Sequence, residues 1–211
     1  MKESWPLIRS HISSCRKITS TLLQILTEQL NFSNPDLPSL HVFEKAAGNQ
    51  MRIIKSAPAD EPTDKLVAGA HTDFGSFTVL FNNLGGLQVH LSKETGWQWV
   101  PPIEGYAIIN LGDAVVRFTD GLLKSATHRV AQPPPEHGGH DRYSVVYFER
   151  PNDDVRMGPL DGTPLDTYPT TKEWIERRVL GGKIAHYKGV KEYLAGRGTE
   201  SSDDAIKVNG E

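Results

Sequence analysis

Between Trp5 and Leu30, apolar side chains recur at Trp5, Ile8, Ile12, Cys15, Ile18, Leu22, Ile25, Leu26 and Leu30. Steps of three and four residues lay them along one stripe of a helix, which predicts an amphipathic segment with something to lie against. Pro6 suits a first helical turn, and Asn31 with Pro35 closes the run. From Met51 the period changes. MRIIKS, KLVAGAH, SFTVLF, GLQVHL, WQWV, YAIINL, AVVRF, HRVAQ and RYSVVYF are short runs rich in β-branched or aromatic residues. Turn chemistry separates them at Ala57-Pro58, Asn83-Leu84-Gly85-Gly86, Pro101-Pro102 and Pro133-Pro134-Pro135. About eight or nine short strands in such a series predict a mainly β antiparallel sandwich or barrel, with a jelly roll foremost. After Pro151 the pattern turns polar, and residues 171–195 predict a helix interrupted at Gly181-Gly182. The last stretch, GRGTESSDDAIKVNGE, has little to bury and predicts a disordered tail over 196–211. The expected organisation is a helical segment over 1–50 lying on a β core over 51–160, then a helical segment over 161–195.

Composition narrows the class without naming a function. A chain of 211 residues with 37% hydrophobic side chains is enough for one domain with a proper core. Its 23 basic and 26 acidic side chains leave a net charge of −3, which offers no clustered positive excess for tracking phosphates. No window approaches the ~18 apolar residues of a membrane span, and MKESWPLIRSHISS lacks the apolar centre of a secretory signal. The single cysteine, Cys15, falls on the helical stripe, where it reads as core filler, and fits a reducing compartment. A cytoplasmic protein without nucleic-acid or membrane partners is expected.

Chemistry enters at His71-Thr72-Asp73. Residues two apart on a strand share a face, roughly 6–7 Å apart, so the imidazole and the carboxylate can converge on one ion. His128, opening the strand HRVAQ, is the best third ligand among His11, His41, His90, His128, His137, His140 and His186. Two histidines and one carboxylate make the facial set associated with non-haem Fe(II). Each could equally be a polar strand residue with a local hydrogen bond. Arg142-Tyr143-Ser144 repeats the period, placing a guanidinium and a hydroxyl together, a pair suited to a small ligand's carboxylate. The cluster His137-Gly-Gly-His140-Asp141 reads as a solvated loop, Asp113 as a turn residue, and Gly85-Gly86 as a tight turn. Trp97 and Trp99 read as hairpin packing.

Taken in order, His71-x-Asp73, His128 and Arg142-x-Ser144 resemble the 2-oxoglutarate/Fe(II)-dependent dioxygenases, in the branch containing isopenicillin N synthase and the plant and fungal oxidases. GAHTDFGSFTVLFNNLGGLQV, AIINLGDAVVRFTDGLLKSATHRV and RYSVVYFERP are similar throughout to that group's double-stranded β-helix, and TKEWIERRV resembles its C-terminal helix. The resemblance implies Fe(II) at His71, Asp73 and His128, with the distal carboxylate of 2-oxoglutarate on Arg142 and Ser144. It implies O₂ as oxidant, a small organic substrate, and hydroxylation or desaturation as the outcome. Ser56 stands where many relatives carry a cosubstrate-binding tyrosine, and is expected to contribute a shorter hydroxyl there. Phe74, Leu80, Asn110 and Phe148 are expected to line the pocket from their nearness to the motifs. Relatives also carry a longer region ahead of the amphipathic helix than this chain does. Two other readings remain: a zinc hydrolase, for which no His-Glu-x-x-His is present, and a non-catalytic β-helix binding protein.

Overall fold

The computed structural model describes residues 2–30, 36–58, 66–132 and 139–180. Its first long element, α1 (Trp5–Gln29), carries Pro6 in the first turn, where a proline's missing amide hydrogen has no intrahelical partner to lose. Its buried residues are Cys15, Thr19 and Leu23, one every four positions. Trp5 and Ile25 are exposed instead, so the inward stripe is narrower than the apolar pattern predicts. Thr19 joins it because its hydroxyl is committed, donating to the Glu149 carboxylate at 3.1 Å. Glu149, itself buried, also accepts from the Tyr147 hydroxyl at 2.8 Å and from Arg16 and Asn49 at 3.3 Å each. Four donors make the burial of this carboxylate tolerable.

Among the described residues the strands are β1 (Gln50–Ser56), β2 (Leu66–His71), β3 (Phe77–Asn82), β4 (Leu87–His90), β5 (Trp97–Trp99), β6 (Ile108–Leu111), β7 (Thr127–Ala131) and β8 (Arg142–Glu149). They form two antiparallel sheets, ordered β1-β8-β3-β6 and β2-β7-β4-β5. This is the jelly roll that the series of short strands predicts. One face of the first sheet meets α1: Cys15 packs with Val79 and Tyr147, edged by Ile12, Met51 and Phe81. The alternate residues Thr78, Leu80, Arg142 and Ser144 therefore face the second sheet. On the outer side of that second sheet Trp97 lies under the Arg129 guanidinium and against His90, as hairpin packing requires.

AVVRF is not a strand. It lies in α2 (Asp113–Phe118), with Ala114, Val115, Val116 and Phe118 all buried. A short apolar run enclosed on every side has no period to read, so a helical turn and a strand look alike in sequence. The residue ahead of the helix must be glycine: a Cβ on Gly112 would collide with the Gly75 carbonyl. Asp113 is accordingly not an exposed turn residue but a buried helix-start carboxylate. The last described element is α3 (Thr171–Leu180); the rest of the helix predicted over 171–195 and the tail over 196–211 lie outside the described residues. A core cluster of Leu23, Leu37, Phe77, Phe118, Met157 and Trp174 joins α1, β3, α2 and α3. No helix among the described residues is long and apolar enough to cross a membrane.

His41 is buried between the Leu37 carbonyl and the Ser76 hydroxyl, 2.7 Å from each. Desolvation lowers its pKa to about 4, well under the ordinary 6.5 of an unfolded chain. The unfolded chain therefore takes up this proton first, and stability present above pH 6.5 is lost as the pH falls towards 4. The expected contribution is a loss of about 3 kcal/mol at pH 4 relative to pH 7. Urea unfolding across that range checks it, against a His41→Gln variant in which this part of the slope disappears.

Candidate active site

Strand β2 ends at His71, the chain turns through 72–76, and β3 begins at Phe77. His71 lies directly opposite His128 of β7, with ring centroids 4.4 Å apart. The Nε2 atoms of His71 and His128 stand 3.9 and 3.8 Å from Asp73 Oδ1. One donor atom from each of the three residues lies within 4.8 Å of the others. Each imidazole is tied back at Nδ1, His71 to the Gly69 carbonyl at 2.8 Å and His128 to the Ala126 carbonyl at 3.0 Å. With Nδ1–H donating, each Nε2 keeps its lone pair for the shared centre.

The carboxylate is held from the other sheet. Asp73 Oδ2 accepts from Thr78 Oγ1 at 2.5 Å and from Asn110 Nδ2 at 2.7 Å, leaving Oδ1 towards the imidazoles. Burial alone would raise this carboxyl, but His128 and the Asn110 and Thr78 hydrogen bonds outweigh it and hold it below the ordinary carboxylate range. A carboxylate oxygen flanked by two imidazole nitrogens suits a borderline divalent cation, and the residues present fit Fe(II).

Beside this centre lies a cavity of about 390 Å³, lined by Leu80, Leu87, Val89, Val100 and Ile108 with the exposed Lys124. Asp73, Thr78, Asn110 and His128 belong to its wall as well. Of the residues expected there, Leu80 and Asn110 take part. Phe74 instead lies 4.5 Å beneath the Arg178 guanidinium, and the Phe148 ring faces Arg52 at 5.3 Å. Thr78 went unnoticed in the sequence, although it alternates with Leu80 on the face turned to the site; Lys124 carried no signal.

Arg142 and Ser144 are both buried, whereas Tyr143 between them is exposed, as the period of two requires. Arg142 Nε donates to the Gly85 carbonyl at 2.8 Å and Nη1 to Ser144 Oγ at 2.6 Å. Burial pulls the guanidinium pKa down from its ordinary value, yet arginine stays charged. No carboxylate among the described residues pairs with it. Ser56 lies opposite Arg142 across β1 and β8, on the same face. Gly86, at φ +111°, makes the turn possible: a Cβ there would sit 2.8 Å from the Ala131 carbonyl and 3.3 Å from Arg142 Nε. Of the rival cluster, His140 is exposed and His137 lies outside the described residues.

Two imidazoles and a carboxylate gathered between the sheets of a jelly roll, with a buried guanidinium that no carboxylate among the described residues pairs with, define a candidate metal centre on a β-sandwich scaffold. Residues 47–151 match the family model of the 2OG-Fe(II) oxygenase superfamily, and the chain belongs to that superfamily. It is 32% identical over 178 residues to a 2-oxoglutarate-dependent dioxygenase of Aspergillus fumigatus, covering 75% of this chain and 46% of that protein. It is 29% identical over 192 residues to the 2-oxoglutarate-dependent dioxygenase iboH of Amanita muscaria, covering 89% and 90%. Among solved structures it is similar to a full-length Neurospora crassa protein crystallised in complex with alpha-KG, at 25% identity and a TM-score of 0.67, over 81% of this chain and 55% of that one. The chain thus spans about half the length of the Aspergillus and Neurospora proteins.

Proposed function

We propose that the protein is an Fe(II)- and 2-oxoglutarate-dependent oxygenase that hydroxylates or desaturates a small organic molecule of secondary metabolism. The observation that carries this reading is the convergence of His71, Asp73 and His128, each held by its second polar atom so that the first faces a common point. These three side chains would hold the iron. Fe(II), when bound there, supplies the O₂ activation that accompanies oxidative decarboxylation of 2-oxoglutarate to succinate and CO₂.

The chain's own residues account for the rest. Arg142 offers its fork to the distal carboxylate, with the Ser144 hydroxyl beside it and Ser56 on the same face. Leu87 and Val89 lie along β4 from the Gly86 turn towards His128, with Val89 opposite His128. Three residues at ~3.3 Å each give about 10 Å, a span that a five-carbon diacid with a contact at each end can bridge. Leu80, Leu87, Val89 and Ile108 keep the wall apolar, which excludes water and suits a largely hydrocarbon substrate. Cys15 is a buried thiol without a disulfide, and the reading extends to a cytoplasmic protein whose ligands are small molecules, not nucleic acid or membrane. The segments 1–50, 51–160 and 161–195 are proposed as helical support, catalytic β core and C-terminal support.

The test is O₂-dependent succinate release from 2-oxoglutarate by the full chain with Fe(II). Succinate formed only with metal and oxygen supports the oxygenase. Metal-dependent turnover of ester or amide probes without oxygen would make it a hydrolase, and iron and 2-oxoglutarate bound without succinate would leave a binding protein.

A further inference from the structure

The loop that presents Asp73 is fastened at every carbonyl from 72 to 76. Thr72 O accepts from Arg178 Nη2 at 3.2 Å. Asp73 O accepts from the Asp113 amide at 2.8 Å, Gly75 O from the Ala114 amide at 3.0 Å, and Ser76 O from the Gly112 amide at 3.0 Å. Phe74 O accepts from Trp174 Nε1 at 3.4 Å. Two of the five donors, Trp174 and Arg178, come from α3, four residues apart and hence on one face of that helix. Arg178 does more than donate once. Its Nη2 lies 3.3 Å from Asp113 Oδ2, the carboxylate oxygen that also accepts from Thr72 Oγ1 at 2.9 Å. Its guanidinium covers the Phe74 ring. Arg178, Asp113 and Thr72 are all buried, so these contacts are made away from water, where their geometry is costly to disturb.

We propose that α3 is a positioning clamp for the metal site, with Arg178 and Trp174 setting the place of Asp73 through the backbone on either side of it. The inference rests on the assignment of Fe(II) to His71, Asp73 and His128. The two histidines sit opposite one another on the paired strands β2 and β7, with each Nδ1 tied to a carbonyl of its own segment. Asp73 lies beyond the end of β2 and has no ladder of its own. Thr78 and Asn110 orient its carboxylate, while the main chain that carries it is held on one side by Gly112 and α2 and by α3, and at its far end by the Ser76 amide, which donates to the Glu149 carbonyl of β8 at 2.8 Å. Arg178 and Trp174 act through the loop, by their hydrogen bonds to the Thr72 and Phe74 carbonyls. Loss of an outer contact that orients a metal ligand lowers metal affinity by about 10–100-fold, and Arg178, which holds both Thr72 and Asp113, should fall within that range.

The test compares full-length Arg178→Met, Arg178→Lys and Trp174→Phe with the wild type, titrating Co(II) by calorimetry and following thermal unfolding of the metal-free protein. Val79→Ala serves as a control that thins the core beneath α1 and leaves the loop alone. The expected result is a Co(II) affinity reduced at least tenfold in Arg178→Met and partly restored in Arg178→Lys. Trp174→Phe, which keeps an aromatic ring but loses its indole donor, should weaken Co(II) several-fold. Val79→Ala should lower the unfolding temperature without moving the affinity. If Arg178→Met does not fold, the Trp174→Phe result decides. Unchanged Co(II) affinity in the folded α3 variants, or an equal loss in Val79→Ala, would overturn the clamp while leaving the metal site standing. A wild type that takes up no Co(II) would instead remove the metal site itself, and the clamp with it.

Discussion

Replacing His128 with alanine abolishes stoichiometric Fe(II) binding. The substitution removes one of three donor atoms and leaves a methyl group where Nε2 faced Asp73 Oδ1 at 3.8 Å. Two ligands on neighbouring chain positions, His71 and Asp73, cannot close one face of an octahedron. Because His128 is only partly buried and its Nδ1 partner is a carbonyl two residues away in its own segment, the fold itself should survive. The loss can be read without turnover. A ligand that binds only the native state stabilises it by about 2.7 kcal/mol at a hundred times its Kd, so anaerobic Fe(II) should raise the unfolding temperature of the wild type and leave His128→Ala unmoved. An unaltered iron affinity in the variant would take His128 out of the site.

Arg142→Ala raises the 2-oxoglutarate concentration needed for half-maximal succinate release by at least about tenfold. A hydrogen bond to a charged group is worth ~1.5–3 kcal/mol, and the fork offers the diacid more than one. The same change strips the Gly85 carbonyl and the Ser144 hydroxyl of a buried donor, so some stability goes with it. Iron affinity separates the two effects, because Arg142 makes none of its contacts with the metal ligands. Arg142→Lys, which keeps a charge but not the planar fork, should fall between the two. If Arg142→Ala leaves the 2-oxoglutarate requirement where it was, the anchor lies elsewhere.

What could be read in advance follows from which interactions are local. Arg142 and Ser144 are legible because a strand's period of two converts spacing into facing without further information; Asp73 lies beyond the end of β2, so its convergence with His71 comes from the loop and not from that period. His128 needed the resemblance as well, since its pairing with His71 joins residues 57 positions apart. α2 looks like a strand in sequence because its apolar residues Ala114, Val115, Val116 and Phe118 are all buried, and so short a run sets no helical period. Asp113 was misread with it: a lone carboxylate beside glycine reads as a turn unless its buried partners, Thr72 and Arg178, are known. The apolar stripe of α1 is too wide at Trp5 and Ile25, which are exposed, and it lacks Thr19, which counts as polar until Glu149 is seen to take its hydroxyl. Phe74, adjacent to Asp73, turns away from the cavity because the loop lies outside the strand ladder, where alternation no longer applies.

The two oxygens of Asp73 look in opposite directions, one towards imidazoles carried by β2 and β7, the other towards donors carried by β3 and β6. Once an ion sits on the first of them, that single side chain becomes a rivet through both halves of the sandwich. Prising the halves apart would then load the same side chain that grips the ion.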